Sequence, residues 1–149
     1  MNIYLGADYK GLERKNSLLS FLVERGYQTI DKGAFEYHEG DDFNDPAIAV
    51  ALEVRKDPEA FGILICDSAH GVTIQANRFK GIRAAHCETP ESAILAREHD
   101  NANVLCLSAH SMNDQTIQEI ASTFINTNFV ELERRVRRIK RLDEREDYD

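Results

Sequence analysis

"FGILIC", residues 61 to 66, runs directly into "DSAHG", residues 67 to 71. The first six residues carry no charge and are apolar on consecutive rather than alternate positions. That pattern describes a strand covered on both faces, as parallel strands are. The run ends in a thiol and then a polar loop. A buried strand that delivers Cys66 to Asp67, Ser68, Ala69, His70 and Gly71 indicates a fold class and raises the question of what uses the sulfur.

Working outward, "NIYLGA" (2–7), the weaker "YQTIDKG" (27–33), "GIRAAHC" (81–87) and "NVLCLSA" (103–109) read as four further strands. Helical patterns lie between them. Leu12, Leu19, Leu22 and Val23 form a stripe stopped by Gly26. After a polar loop over 34–45, Asp45-Pro46 reads as an N-cap and first-turn proline for a helix carrying Ile48, Val50, Ala51 and Val54. Another helix is expected near Gly71, and Thr89-Pro90-Glu91 opens the next. Ile117, Ile120, Ala121, Phe124 and Ile125 mark the clearest amphipathic helix, and a charged helix spans about 131–145. Five β–α alternations predict an α/β fold with a doubly wound, five-stranded parallel sheet. No repeat or linker interrupts it, so 1–149 is expected to be a single domain, with a frayed tail from about 143.

Eighteen Lys and Arg against 26 Asp and Glu give a net charge of −8. This argues against nucleic acid or an anionic membrane as partner and leaves a small anionic substrate open. No window approaches the roughly 18 apolar residues of a membrane span. "MNIYLGADYKG" lacks a secretory pattern. Cys66, Cys87 and Cys106 form no CxxC pair. The expectation is a reducing cytoplasm, with no disulfide frame and no metal site.

In open α/β sheets, ligands bind outside the carboxyl ends of the strands, where strand order reverses. Four stretches fall there: Asp8-Tyr9, Cys66 to Gly71, His86 to Glu88, and Ser108 to His110. The loop after Cys66 would aim backbone N–H groups above the strand end, favouring an anion or a thiolate. Position alone favours reading Cys66 as a small buried hydrophobe over a catalytic thiol. Ser68 reads as a donor or a turn cap, and His70 as a titratable group or a solvated one. A carboxylate at Asp67 opposes an anion, so its side chain is expected to point away. His99 and Asp100 end a helix, where the dipole alone favours a histidine. Arg134 and Arg138 share a helical face within "ERRVRRIKR" (133–141) and suit a phosphate, or else pair with nearby glutamates.

Taken together, these stretches resemble the family of ribose-5-phosphate isomerase B and the galactose-6-phosphate isomerase subunits. The resemblance runs from Met1 to about Leu142, through "GADYKG" (6–11), "GILIC" (62–66), "AN..KGIRAA" (76–85), "REHDNANVLCL" (97–107), "FINTNF" (124–129) and the arginine helix. It implies aldose–ketose interconversion of a phosphorylated sugar through a cis-enediol(ate), with no metal or cofactor. It also implies a Rossmann-like three-layer sandwich with a five-stranded parallel sheet, and a homodimer, or a dimer of dimers, with sites at the subunit interface and the C-terminal helix reaching toward the partner. By position, Cys66 matches the cysteine base. The glutamate other members use six residues later is Val72 here. Residues 67 to 71 match the loop that holds the enediolate oxygen, with Ser68 where threonine is usual. His99 matches the ring-opening histidine, Asp8 the aspartate on sugar hydroxyls, and Arg134 and Arg138 the phosphate-binding arginines.

The departures cluster on the site. The usual Cys-Gly-Thr-Gly-Ile-Gly loop is Cys66-Asp67-Ser68-Ala69-His70-Gly71. Tyr9 stands where the resemblance implies a phosphate-contacting histidine, His110 where it implies an arginine, and Asp100 where it implies an asparagine. The expectation is therefore an isomerase with altered substrate preference. The alternative is a non-catalytic sugar-phosphate binder or one subunit of a heteromer. A phosphorelay receiver shares the coarse topology but needs a second acidic residue after strand one and a lysine after strand five, which "LSAHSM" lacks.

Overall fold

A computed structural model describes residues 1–144. Five strands, β1 (Asn2–Ala7), β2 (Gln28–Asp31), β3 (Phe61–Cys66), β4 (Ala84–His86) and β5 (Val104–Ser108), form one sheet. Their order is β2-β1-β3-β5-β4, and every pairing is parallel. The chain moves outward from β1 to β2, then crosses back to β3. The order therefore reverses between β1 and β3, which places the crevice beside Ala7 and Cys66.

Six helices complete the described chain: α1 (Leu12–Glu24), α2 (Asn44–Val54), α3 (His70–Ala76), α4 (Pro90–Asp100), α5 (Asp114–Asn126) and α6 (Glu133–Glu144). Helices α1, α4 and α5 cover one face, and α2 and α3 the other. Strand β3 serves both cores. Ile63 and Ile65 pack with Leu105, Leu107 and Phe124, while Leu64 and Cys66 pack with Val50, Val72 and Cys106. A two-sided strand needs apolar residues at every position, which is why "FGILIC" shows no alternation. Glycine at 62 has a separate cause: a Cβ there would lie 2.6 Å from Val50 of α2.

Buried Lys15 in α1 fixes the end of β2. Its Nζ lies 2.7 Å from Asp31 Oδ1 and donates to the Ala34 carbonyl. The loop that follows β2 therefore leaves the sheet from a pinned point. Helix α6 differs from the others in that none of its described residues is buried. It packs against α4 and leaves Val136 and Leu142 exposed.

Several local expectations shift. Val23 is exposed, and Leu18 and Lys15 complete the buried stripe of α1 instead. Asp45 is not the cap of α2, because the Phe43 carbonyl already accepts from Ala47 and no side chain caps that end. Pro46 still sits in the first turn, where a missing N–H costs nothing. Strand β4 is shorter than expected, since Gly81 (φ +84°) turns the chain ahead of it. Asp143 and Glu144 are helical rather than frayed, while the rest of the expected tail, 145–149, lies outside the described residues.

Gly11, at the start of α1, touches β3 directly. A Cβ there would lie 2.4 Å from the Ile65 carbonyl oxygen, a backbone atom that cannot rotate away. Gly11→Ala is expected to lower stability by about 1–3 kcal/mol through overpacking. Urea unfolding measures this, and an unchanged midpoint would contradict the contact.

Candidate active site

Asp8 follows β1 and Cys66 closes β3, side by side in the β1/β3 crevice. Asp8 is buried, and its Oδ1 accepts from Gly11 N–H at 3.0 Å. The Cys66 side chain points toward the α2/α3 face, and the residue is only 4% exposed. The backbone N–H groups of Val72, Ala69 and Gly71 act on its sulfur and favour the thiolate. The loop achieves this by holding Ala69 at φ +70°, a left-handed conformation. For a residue with a Cβ that costs on the order of 1 kcal/mol. Burial of the Ala69 methyl offsets part of it. Replacing a glycine by alanine has therefore not removed the turn.

The base of the loop is held from β5. Ser108 Oγ donates to the Asp67 carbonyl at 2.7 Å, and the His110 N–H donates to the same oxygen at 3.0 Å. The Asp67 carboxylate points outward, 4.0 Å from His110 Nδ1, and both side chains are largely exposed. The Ser68 hydroxyl serves the turn, accepting from His70 N–H at 3.4 Å. The His70 ring meets His86 edge-on, with centroids 5.6 Å apart. His70 thus leans toward β4.

The segment after β2 folds back over the crevice. Tyr9 N–H donates to Asp41 Oδ1 at 2.9 Å, and the Tyr9 and Tyr37 rings form an edge contact at 5.6 Å. Phe43 lies flat against Gly71, where a Cβ would come within 2.8 Å of its ring. Ser108 stands at a strand end the sequence had marked, whereas Asp41 and Phe43 also shape this site and the sequence did not select them. They lie tens of residues from the groups they position, and no local pattern distinguishes them from ordinary loop or strand residues.

Electrostatics correct one expectation. Burial pushes the Cys66 thiol up, the nearby Asp8 carboxylate adds to the rise, and the loop N–H groups oppose it without reversing it. The loop alone does not make a low-pKa cysteine. Asp8 is itself raised, first by burial and then by Asp41 and Asp67, against the Gly11 hydrogen bond. Cys106, fully enclosed beneath the same helix, is pushed up to about 12 and stays a thiol.

The remaining candidates sit elsewhere. Helix α4 runs away from the carboxyl ends, so His99 and Asp100 emerge just before β5 begins. Val104 pairs with Gly62 at that end of the sheet and Ser108 with Cys66 at the other. Four strand steps place the two groups about 13 Å apart or more. The segment leading to α6 is tied to the same end, with Val130 N–H on the Glu98 carbonyl at 3.2 Å. His99, Asp100, Arg134 and Arg138 are all exposed. The chain therefore brings together Asp8, Tyr9, the Cys66 to Gly71 loop and His110 at one pole. It carries His99, Asp100 and the two arginines at the other. Among the described residues, no cluster of three or more His, Cys, Asp or Glu is arranged to hold a metal.

Because Asp8 raises Cys66, Asp8→Asn is expected to lower the thiol pKa while keeping the oxygen that Gly11 needs. Alkylation of Cys66 by iodoacetamide at pH 8 should then run faster than in the parent, with the rate–pH curve displaced to lower pH. Peptide mass mapping of the modified cysteine reads this, and an unmoved curve would contradict the coupling.

The model of the family described as "Ribose/Galactose Isomerase" matches residues 3–142. The probable ribose-5-phosphate isomerase B of Mycoplasma genitalium is 38% identical over 129 residues, covering 86% of this chain and 85% of the relative. Galactose-6-phosphate isomerase subunit LacA of Lactococcus lactis is 36% identical, covering 87% and 89%. The crystal structure of ribose-5-phosphate isomerase B from Mycoplasma genitalium with bound ribulose-5-phosphate superposes with a TM-score of 0.92 at 37% identity, covering 96% of this chain and 94% of that one. A match over nearly the whole length, on this sheet order and with a cysteine and an aspartate at the switch point, leaves one assignment: the chain belongs to the ribose/galactose isomerase family.

Proposed function

We propose that the protein interconverts an aldose phosphate and a ketose phosphate through a cis-enediolate, with Cys66 as the base. The observation that carries this reading is Cys66 beside Asp8 at the sheet's switch point, followed by a loop whose left-handed turn at Ala69 leads into α3. A carbon next to a carbonyl is a weak acid, so the oxyanion formed on deprotonation must be stabilised. Preorganised donors aimed at such an oxygen commonly contribute about 3–4 kcal/mol. Cys66 takes the proton from C2 of the open-chain aldose and returns it to C1. The N–H groups of the 67–71 loop hold the oxygen that gains charge, and Asp8 holds sugar hydroxyls.

The active unit is a homodimer whose partner completes each site. Support comes from the two separated poles. His99, the ring-opening group, and Arg134 and Arg138, the phosphate-binding pair, stand exposed and cannot meet Cys66 of their own subunit. The uncovered apolar residues of α6 fit the same arrangement. Three free, buried cysteines suit the cytoplasm.

The preferred substrate is a sugar phosphate other than ribose 5-phosphate. Tyr9 and His110 replace two cationic groups of the family pattern. Asp67 adds a carboxylate 4.0 Å from His110. The loss of one charge-assisted contact weakens binding by about 1.5–3 kcal/mol, enough to redirect preference. A non-catalytic binder or heteromer subunit is not favoured, since relatives matching along most of the chain are named isomerases.

The reading is tested by solvent deuterium exchange beside the carbonyl across four- to six-carbon sugar phosphates. At least one should exchange, and Cys66→Ala should abolish the exchange while leaving binding largely intact. The shared site has its own test. Cys66→Ala and His99→Ala should each be inactive alone. Unfolded and refolded together in equal amounts, they should recover about a quarter of parental activity, from one intact site in each mixed dimer. No recovery would place both residues in one subunit's site and overturn the composite arrangement.

A further inference from the structure

Helix α6 carries Arg134 and Arg138 yet buries no described residue of its own, so something other than a core must hold it. Two polar attachments do so. Near its first turn, Arg135 Nη1 donates to the Glu98 carbonyl at 3.2 Å and to the Val130 carbonyl at 3.0 Å. Near its last turn, both Asp143 carboxylate oxygens lie 2.9 and 3.0 Å from Arg83 Nη1. The eight residue steps between these points span about 12 Å of helix, with Arg138 near the middle. A helix attached at one end pivots, whereas one attached at both ends does not.

Apolar packing does not replace the second attachment. The last turn stands over a cavity of about 540 Å³, lined by Ile82, Ala96, Ala102 and Leu142 among others. Leu142 remains largely exposed. Arg83 is a rigid anchor by contrast. Its backbone N–H donates to Asn103 Oδ1 at 2.8 Å, its Nε donates to the Asn101 carbonyl at 3.0 Å, and its side chain is mostly buried. Asn101 directly follows His99-Asp100 and turns the chain in a left-handed conformation, φ +48°. One guanidinium therefore holds the turn after His99 through Nε and the end of the arginine helix through Nη1.

We propose that Arg83 is a positioning residue for the phosphate end of the site: paired with Asp143, it sets α6, and with it Arg134 and Arg138, against His99. The inference rests on the proposed isomerase reading for its consequence, though not for its geometry. Arg83 touches no substrate. It acts through the helix, so its loss affects capture of the phosphate rather than the proton transfer at Cys66.

The test uses the full-length protein and the partly exposed end of the pair. Asp143→Asn removes the charge and leaves Arg83 with its other acceptors. KM for the turned-over sugar phosphate should rise about two- to fivefold, the range of a partly exposed ion pair, with kcat and thermal midpoint little changed. Asp143→Glu should restore part of the loss. Amide hydrogen exchange over 133–144 should quicken in Asp143→Asn and stay unchanged in α1 to α5. Parental KM together with parental exchange would overturn the proposal, as would a joint fall of kcat and thermal midpoint, which marks a general folding defect. If the parent turns over no sugar phosphate, the isomerase reading fails and the exchange measurement alone decides the attachment. Quickened exchange confined to α6 then upholds it, and unchanged exchange overturns it.

Discussion

Strand β3 is hydrogen-bonded on both edges, to β1 and to β5, and packed on both faces. Its polar backbone groups are satisfied only by that double pairing. Its side chains have no solvent-facing side, so the strand tolerates only apolar residues until it leaves the sheet. It leaves at Cys66, one register step beyond the Ala7–Ile65 pair and immediately beside Asp8. The sulfur and the carboxylate are neighbours because two parallel strands end together. Gly11 keeps α1 close enough to Ile65 for that ending to be shared.

The same burial works against ionisation of the sulfur it encloses. Taking a thiol out of water disfavours the thiolate, and a carboxylate alongside disfavours it further. The N–H groups of residues 69, 71 and 72 counter this only in part. Fixed N–H dipoles in such a dry environment act strongly, and they cost no reorganisation when charge appears. Ala69 keeps the turn left-handed, so the array survives where the family pattern has glycine.

The length of the sheet separates Asp8, Cys66 and the loop after it from His99, Asp100, Arg134 and Arg138. A β–α unit enters its helix at the carboxyl end of one strand and must return to the amino end of the next. Residues at the end of α4 therefore face away from Cys66. Helix α6 continues from that far end, held by arginine contacts to carbonyls and one carboxylate rather than by a core.

Much of this was legible in the amino-acid order. The five strands, the class of fold and the helices at Thr89 and Ile117 follow from local rules, because strand burial and helix amphipathicity have fixed periods. Cys66, Asp8 and the loop between Cys66 and Gly71 were also visible, since they end apolar runs. The folding back of Asp41 and Phe43 over the crevice, the hydrogen bond by which Ser108 holds the loop, and Lys15 as a buried cation were not visible. Neither was the direction of the Cys66 shift. Each depends on which groups become neighbours across tens of residues and on how much water they lose, quantities that exist only once the chain has packed. The sequence by itself determined which elements form and which residues stand at their ends. The tertiary structure alone decided which of those ends meet, because strand order and helix direction assign each end to one pole of the sheet or the other.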